Sequence, residues 1–165
     1  MKTSNPMHQP RPVSNSAVVM TEIVLPQHTN SLGSVFGGTI MSWIDICAAI
    51  AAQRHCRKLC VTASVDALQF VAPVFKGWVV NLKASVNYAG RTSMEVGVRV
   101  DAEDPQSGQT FHTASAYLTF VALGEDRRPT DVPPVLPETD EQKRRFEQAQ
   151  KRRSDRLKNR QPHGK

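Results

Sequence analysis

An α+β fold, with an antiparallel sheet wrapped around one long central helix, is what this sequence predicts. Three observations lead there. One segment, residues 36–53, is apolar on nearly every side and carries a helical period. One strand-like run precedes it. Four more follow, with no second helix between them.

Residues 1–16 are polar and punctuated by Pro6, Pro10 and Pro12, and they read as a flexible arm. Val18 to Val24 mixes β-branched and apolar residues and suits a strand. Pro26 to Gly33 has the composition of a loop. Gly37-Gly38-Thr39 then opens a helix that runs to about His55. Ile40, Met41, Ile44, Cys47, Ala48 and Ile50 recur with a 3.6-residue period, and Trp43, Ile46, Ala49 and Ala51 fill the other faces. Such a helix is expected to be buried on most sides. Arg54, Arg57 and Lys58 follow at its carboxyl end, where cations suit the helix dipole.

Cys60 to Phe70, Trp78 to Ala89, Ser93 to Ala102 and Thr110 to Val121 read as strands. Leu82, Ala84, Val86 and Tyr88 alternate cleanly, as do Met94, Val96, Val98 and Val100. Gly90-Arg91 and Asp104-Pro105-Gln106-Ser107-Gly108 have hairpin-turn chemistry. With no helix to serve as a crossover, these strands are expected to form an antiparallel meander. Pro129 to Pro137 is a proline-rich spacer. Asp140 to Arg160 is charged, with helix-forming residues but few apolar ones, and is expected to bury little. The chain therefore divides into an arm (1–16), one domain (17–125), and a spacer with a basic tail (126–165).

Hydrophobic residues make up 39% and charged residues 22%, ordinary globular usage that argues against a disordered chain. The net charge of +6 is uneven. Glu138 to Lys165 holds ten Lys/Arg and five Asp/Glu, leaving eleven and ten for the rest, so the domain itself is near neutral. The tail's cations alternate with Glu and Asp around one aromatic residue, Phe146. No nucleic-acid partner is therefore expected. Cys47, Cys56 and Cys60 form an odd set with no paired framework and read as reduced thiols of a cytoplasmic protein. Only His55 stands beside them as a further ligand, so no metal is expected. The amino terminus has no apolar run and does not read as a signal peptide. Phe36 to Gln53 is marginal as a membrane span and reads better as a core helix, so no membrane partner is expected.

Four features could carry chemistry. Asp45 is the only acidic or basic side chain between Phe36 and Gln53. A carboxylate in apolar surroundings needs a partner, and burial would raise its pKa toward the range of a general base. The bland alternative places Asp45 on a solvent stripe. Gly37-Gly38 would expose free amides at a helix amino end, fitted to an oxyanion, or simply make a loop-to-helix entry. Asn30 could orient a water or a carbonyl, or merely shape its turn. Gly90-Arg91-Thr92-Ser93-Met94 offers a guanidinium and two hydroxyls to phosphates, or is an ordinary surface turn. GxGxxG, P-loop, HExxH and GxSxG patterns are absent from the sequence.

In order and spacing, these segments resemble the acyl-CoA thioesterases of the hotdog superfamily, the acyl-CoA hydrolase branch of bacteria and animal cytosol. The resemblance spans about residues 18–123. It rests on His28-Thr29-Asn30, Gly33-Ser34-Val35-Phe36-Gly37-Gly38, Met41-Ser42-Trp43-Ile44-Asp45, Val61-Thr62-Ala63-Ser64-Val65-Asp66, Phe70 with Pro73, and Gly90-Arg91-Thr92-Ser93-Met94. It implies a hotdog fold, a dimer that joins two sheets edge to edge, and a hexamer built as a trimer of dimers. It implies hydrolysis of acyl-CoA to a free acid and CoA, with CoA present as part of substrate and product and no further cofactor. Asp45 is then the catalytic acid/base or nucleophile, Asn30 its partner, in the family's dimer from the other subunit, and the Gly38 amide the donor to the thioester carbonyl. Ala63, Ser64, Val65, Thr92, Ser93 and Met94 match the family's CoA-contacting stretches, with Arg91 a phosphate contact. The competing expectation is a non-catalytic hotdog protein that binds acyl-CoA or a nucleotide for regulation.

Overall fold

A computed structural model describes residues 9–158. The outer parts of the expected arm and tail, residues 1–8 and 159–165, lie outside the described residues. The strands are β1 (Arg11–Pro12), β2 (Val18–Ile23), β3 (Leu59–Phe70), β4 (Val79–Ala89), β5 (Ser93–Glu103), β6 (Thr110–Leu123) and β7 (Val135–Leu136). The helices are α1 (Gly37–Cys56) and α2 (Asp140–Lys158).

Five strands form one antiparallel sheet in the order β2-β4-β5-β6-β3. The meander holds for β4, β5 and β6 but not for β3, which lies beside β6 at the far edge. Connection length decides this. Short turns after Ala89 and Glu103 allow hairpins, whereas Val71–Trp78 is too long for one. The helix α1 leaves the β2 side and delivers the chain to the opposite edge.

The core lies between α1 and the inner face of the sheet. From α1 come Ile40, Trp43, Ile44, Cys47, Ala48, Ala51 and Ala52; from the strands come Val80, Leu82, Val86, Val96, Val100, Leu118 and Phe120. Small side chains at Ala48, Ala51, Ala52, Ala114, Ala116 and Ala122 let the helix and sheet backbones approach closely. The helix is less enclosed than its composition predicts. Met41 and Ile46 are exposed, and so are Val61, Val65 and Phe70 on β3. One flank of α1 and the β3 edge thus present apolar surface. No helix among the described residues is long and apolar enough to cross a membrane.

The arm is not free over residues 11–16. β1 pairs in parallel with β7, Val13 is buried, and the Ser16 hydroxyl donates to the Val13 carbonyl at 2.7 Å while accepting from the Val86 amide at 2.9 Å. Prolines do not prevent this, because a two-residue edge pairing leaves most of the local donors unused.

The tail is helical over α2 and, as its composition predicts, buries little, with Ala149 its one buried residue among those described. A capping box starts α2: the Thr139 hydroxyl accepts from the Gln142 amide at 3.2 Å, and Gln142 Oε1 accepts from the Glu138 and Thr139 amides. Ala149 is fully buried, and the Phe146 ring lies 5.3 Å from that of Tyr88. The helix therefore packs on the outer face of its own sheet.

His55 is fully buried where α1 meets β7. Its Nε2 lies 2.8 Å from the Pro133 carbonyl, and Nδ1 has no partner. Arg11 donates to the His55 carbonyl. Burial holds the imidazole pKa below its ordinary 6.5, against the pull of the Pro133 carbonyl, and the Arg11 charge adds to the lowering. Below pH 6.5 the unfolded chain therefore takes up the proton first, and stability falls as pH drops, by at most ~1.4 kcal/mol per pH unit. We expect His55→Gln to flatten this dependence when unfolding midpoints are compared between pH 7.5 and 5.5. An unchanged slope would contradict it.

Candidate active site

Asp45 lies midway along α1 on its less covered flank and is half-buried in the single chain. Its Oδ1 accepts a hydrogen bond from the Thr62 hydroxyl on β3 at 2.7 Å. Thr62 sits at the first of two register shifts. It pairs with Phe120, but the next paired residue is Ser64, opposite Thr119, so Ala63 is an extra residue. This bulge changes which side each residue faces. Thr62 reaches inward to the helix, whereas the Ser64 hydroxyl donates to Asp66 at 2.6 Å on the outer face. Strand alternation alone would have set both on one side.

The amino end of α1 is open. Its N-cap, Phe36, supplies no side-chain hydrogen bond, and the amides of Gly37 and Gly38 have no partner among the described residues. A Cβ placed on Gly38 would meet nothing within 4 Å, whereas one on Gly37 would lie 3.4 Å from the Phe70 ring. Two free amides at a positive helix end, with room in front of them, can receive an oxyanion.

Asn30 works within its own loop. Its Oδ1 accepts from the Leu32 amide at 2.9 Å and the Ser34 amide at 3.3 Å, and its Nδ2 donates to the Ser34 hydroxyl at 3.1 Å. The loop is tied to α1 by the Phe36 amide, which donates to the His28 carbonyl at 2.9 Å, and by the edge of His28 against Trp43. Asn30 makes no hydrogen bond to Asp45 within the chain. Gly38 and Asp45 are two helical turns apart, ~10 Å along the axis. One chain thus keeps its oxyanion donor and its carboxylate at separate places.

The two other predicted segments share one end of the sheet. Val61 and Ser93 both pair with Val121 on β6, so the segments lie two strands apart, ~10 Å. Ala63 and Val65 are exposed and Ser64 is half-buried. Arg91 is exposed, Thr92 and Ser93 are half-buried, and the Met94 side chain turns into the core. Met94 therefore offers no side chain to a ligand in this structure. The hairpin rests on α2: a Cβ on Gly90 would lie 3.1 Å from Arg153 Nη2. Arg153, which sequence reasoning passed over, has no ion-pair partner among the described residues and stands beside Arg91 and its turn. Thr62, whose hydroxyl meets Asp45, is likewise not singled out by the sequence. The bulge that aims it leaves no periodic signal.

Among the described residues, no group of three or more His, Cys, Asp or Glu could hold a metal ion. Cys47, Cys56 and Cys60 form no disulfide with one another. Cys56 and Cys60 lie 3.2 Å apart, sulfur to sulfur, and the hydrogen bond between them is the largest cause that lowers Cys56 to about 7. Burial pushes Cys47 up to about 11, against the charge of Arg54.

Comparison with known proteins adds to this geometry. The family model described as the thioesterase superfamily matches residues 32–109. The uncharacterized acyl-CoA thioester hydrolase YkhA of Bacillus subtilis is 44% identical over 127 residues, 77% of this chain and 74% of that protein. The cytosolic acyl coenzyme A thioester hydrolase of Rattus norvegicus is 38% identical over 147 residues, and the chain spans only 38% of its length. Among solved structures, an apo-hexameric acyl-CoA thioesterase superposes with a TM-score of 0.88 at 41% identity, covering 91% of this chain and 96% of that one. An acyl-CoA hydrolase from Staphylococcus aureus, in complex with butyryl coenzyme A, coenzyme A and coenzyme A disulfide, gives 0.84 at 39% identity, covering 89% and 90%. Structures of that enzyme with single alanine replacements at an aspartate, an asparagine and a threonine are equally similar, with TM-scores of 0.84 to 0.87.

Proposed function

The chain belongs to the thioesterase superfamily, in its acyl-CoA hydrolase branch, and from that premise we propose how its residues share the work. It is a hotdog-fold acyl-CoA thioester hydrolase: water cleaves the thioester to a carboxylic acid and CoA. Asp45 is the general base, held in position by the Thr62 hydroxyl. The Gly38 amide polarises the thioester carbonyl and receives the oxyanion. Asn30 orients the reacting group. Ala63, Ser64 and Val65, with Thr92 and Ser93, line the CoA path, and Arg91 meets its phosphates.

The observation that carries this reading is the 2.7 Å bond between Asp45 and Thr62 on a helix whose amino end is uncapped. Its support from the relatives is one of spacing. The asparagine, aspartate and threonine replaced in the Staphylococcus enzyme are separated by 15 and 17 residues, as are Asn30, Asp45 and Thr62.

The separation of ~10 Å between Gly38 and Asp45 along one helix means that a single chain cannot place both on one thioester carbon. We therefore assign the catalytic unit to a dimer, in which Gly38 and Asn30 of one subunit face Asp45 of the other. The apolar flank of α1 and the unpaired edge of β3 are the surfaces such a dimer would cover. A hexamer of three such dimers is in keeping with the hexameric relative, and a cytoplasmic location with the cytosolic one.

The test is release of free CoA thiol from acyl-CoA substrates running from acetyl to palmitoyl. Hydrolysis with a defined chain-length optimum is expected. If no acyl-CoA yields CoA, the assignment fails.

A further inference from the structure

The stretch of β3 that carries Thr62 and the 63–65 segment is weakly laddered within its own chain. β3 ends the chain's sheet and pairs there with β6, while its other edge is the surface assigned above to the dimer. Within a few residues it has two register shifts, between Thr62 and Ser64 and between Val65 and Ala67. Each bulge removes ladder bonds and lets the strand bend.

A carboxylate stands where the backbone ladder fails. The Asp66 side chain is 12% exposed. Its Oδ1 accepts from the Ser64 hydroxyl at 2.6 Å, and its Oδ2 accepts from the Thr119 hydroxyl on β6 at 2.6 Å and meets Arg156 Nη1 at 2.8 Å. Asp66 thus holds Ser64 within the bulged strand and joins that strand to β6 through the Thr119 hydroxyl. Among the described residues, Arg156 is the one cation paired directly with it, and Arg152 acts on it at longer range. One turn earlier on the same face of α2, Arg152 pairs with Glu95 on β5. The two arginines stretch α2 across the outer face of the sheet, from β5 to the β3 edge.

We propose that Arg156 is a positioning residue of the acyl-CoA site: through Asp66 it fixes the doubly bulged stretch of β3 from Thr62 to Asp66. The proposal rests on the assignment of Thr62 and the 63–65 segment to that site. It makes the basic tail a part of the enzyme's working structure. Arg156 touches neither Asp45 nor Gly38, so its effect reaches the reaction only through the placement of β3.

The experiment compares Arg156→Met and Arg156→Lys with wild type in the full-length oligomer. Arg152, Phe146 and Ala149 still dock α2 in both variants. We expect Arg156→Met to exchange amide hydrogens faster in peptides covering 60–70, with β4 and β5 unchanged. We expect kcat/KM for acyl-CoA to fall about tenfold, less than the ~100-fold of a full 1 Å misplacement. Arg156→Lys, which keeps the charge, should restore most of both. Unchanged exchange over 60–70 overturns the proposal, as does faster exchange with unchanged kcat/KM. A lower melting temperature alone marks a merely structural contact and overturns it too. A wild type that releases no CoA would instead sink the site assignment, and this is seen before any variant is made.

Discussion

Replacing Asp45 by alanine should slow CoA release by about 10²- to 10⁴-fold, the contribution of a positioned general base, and leave the oligomer assembled. The small structural cost follows from its surroundings. Asp45 is half-buried, its partner Thr62 is exposed, and neither belongs to the core. The measurement is the single-turnover rate of thiol release, with oligomer mass as the control. Near-normal turnover would remove Asp45 from the mechanism. The same variant tests the dimeric site. Asp45→Ala mixed with Asn30→Ala should regain activity, because a mixed dimer contains one site with both residues intact. Random pairing returns about a quarter of wild-type activity in a two-fold dimer. If nothing returns, Asp45 and Asn30 do not meet across two subunits. Single turnover in oxygen-18 water separates the two chemistries. Label found in Asp45 would sink the general-base version, because it enters that carboxylate when water opens an anhydride at the Asp45 carbonyl.

The parts of this molecule that were legible in the sequence are those with a period. The helix α1 announces itself through Ile40, Ile44, Cys47 and Ala51, and β4 and β5 through alternating Leu82, Val86, Val96 and Val100. These residues fill the space between one helix and one sheet face, so their spacing is the packing. What was not legible depends on polar contacts without periodicity. The docking of α2 is hidden because Glu95 and Asp66, which receive its arginines, look like surface residues of a half-exposed sheet. The inner stretch of the arm is hidden for the same reason: Ser16 is buried by one hydrogen bond to Val86, not by an apolar pattern. β3 reads as a strand from its residues, but its place at the edge does not, since that is set by the path of α1 and by loop length. The bulge at Ala63 then decides that Thr62 faces Asp45 while Ser64 faces Asp66. Of the candidate site, the ordered motifs mark Asp45, Asn30 and Gly38 as candidates, yet a pattern within one chain does not say which of them would meet across subunits.

The largest loss of stability is expected from Arg152→Met, at roughly 3–5 kcal/mol, the range for removing one partner of a buried ion pair. Glu95 is 4% exposed in the folded chain. Arg152 grips it with two bonds, Nη2 at 2.7 Å and Nε at 3.1 Å, and Asn87 Nδ2 adds a third at 3.2 Å. The guanidinium also lies 3.8 Å from the centre of the Tyr117 ring, which shields the pair from water. Without Arg152 the carboxylate stays buried with one neutral donor, so the cost is that of a stranded charge and not merely of a lost contact. This gives the prediction a second limb. Arg152→Met combined with Glu95→Gln removes both charges and should recover a large part of the loss, which a double-mutant cycle on denaturant midpoints measures. If the single variant loses less than ~1 kcal/mol, the pair is hydrated in solution and α2 is held by Phe146 and Ala149 alone. If the double variant is no more stable than the single one, the loss comes from the guanidinium's contact with the Tyr117 ring. The recovered fraction thus measures how much of α2 docking is electrostatic, and so how much of the tail's positive charge is neutralised within its own fold.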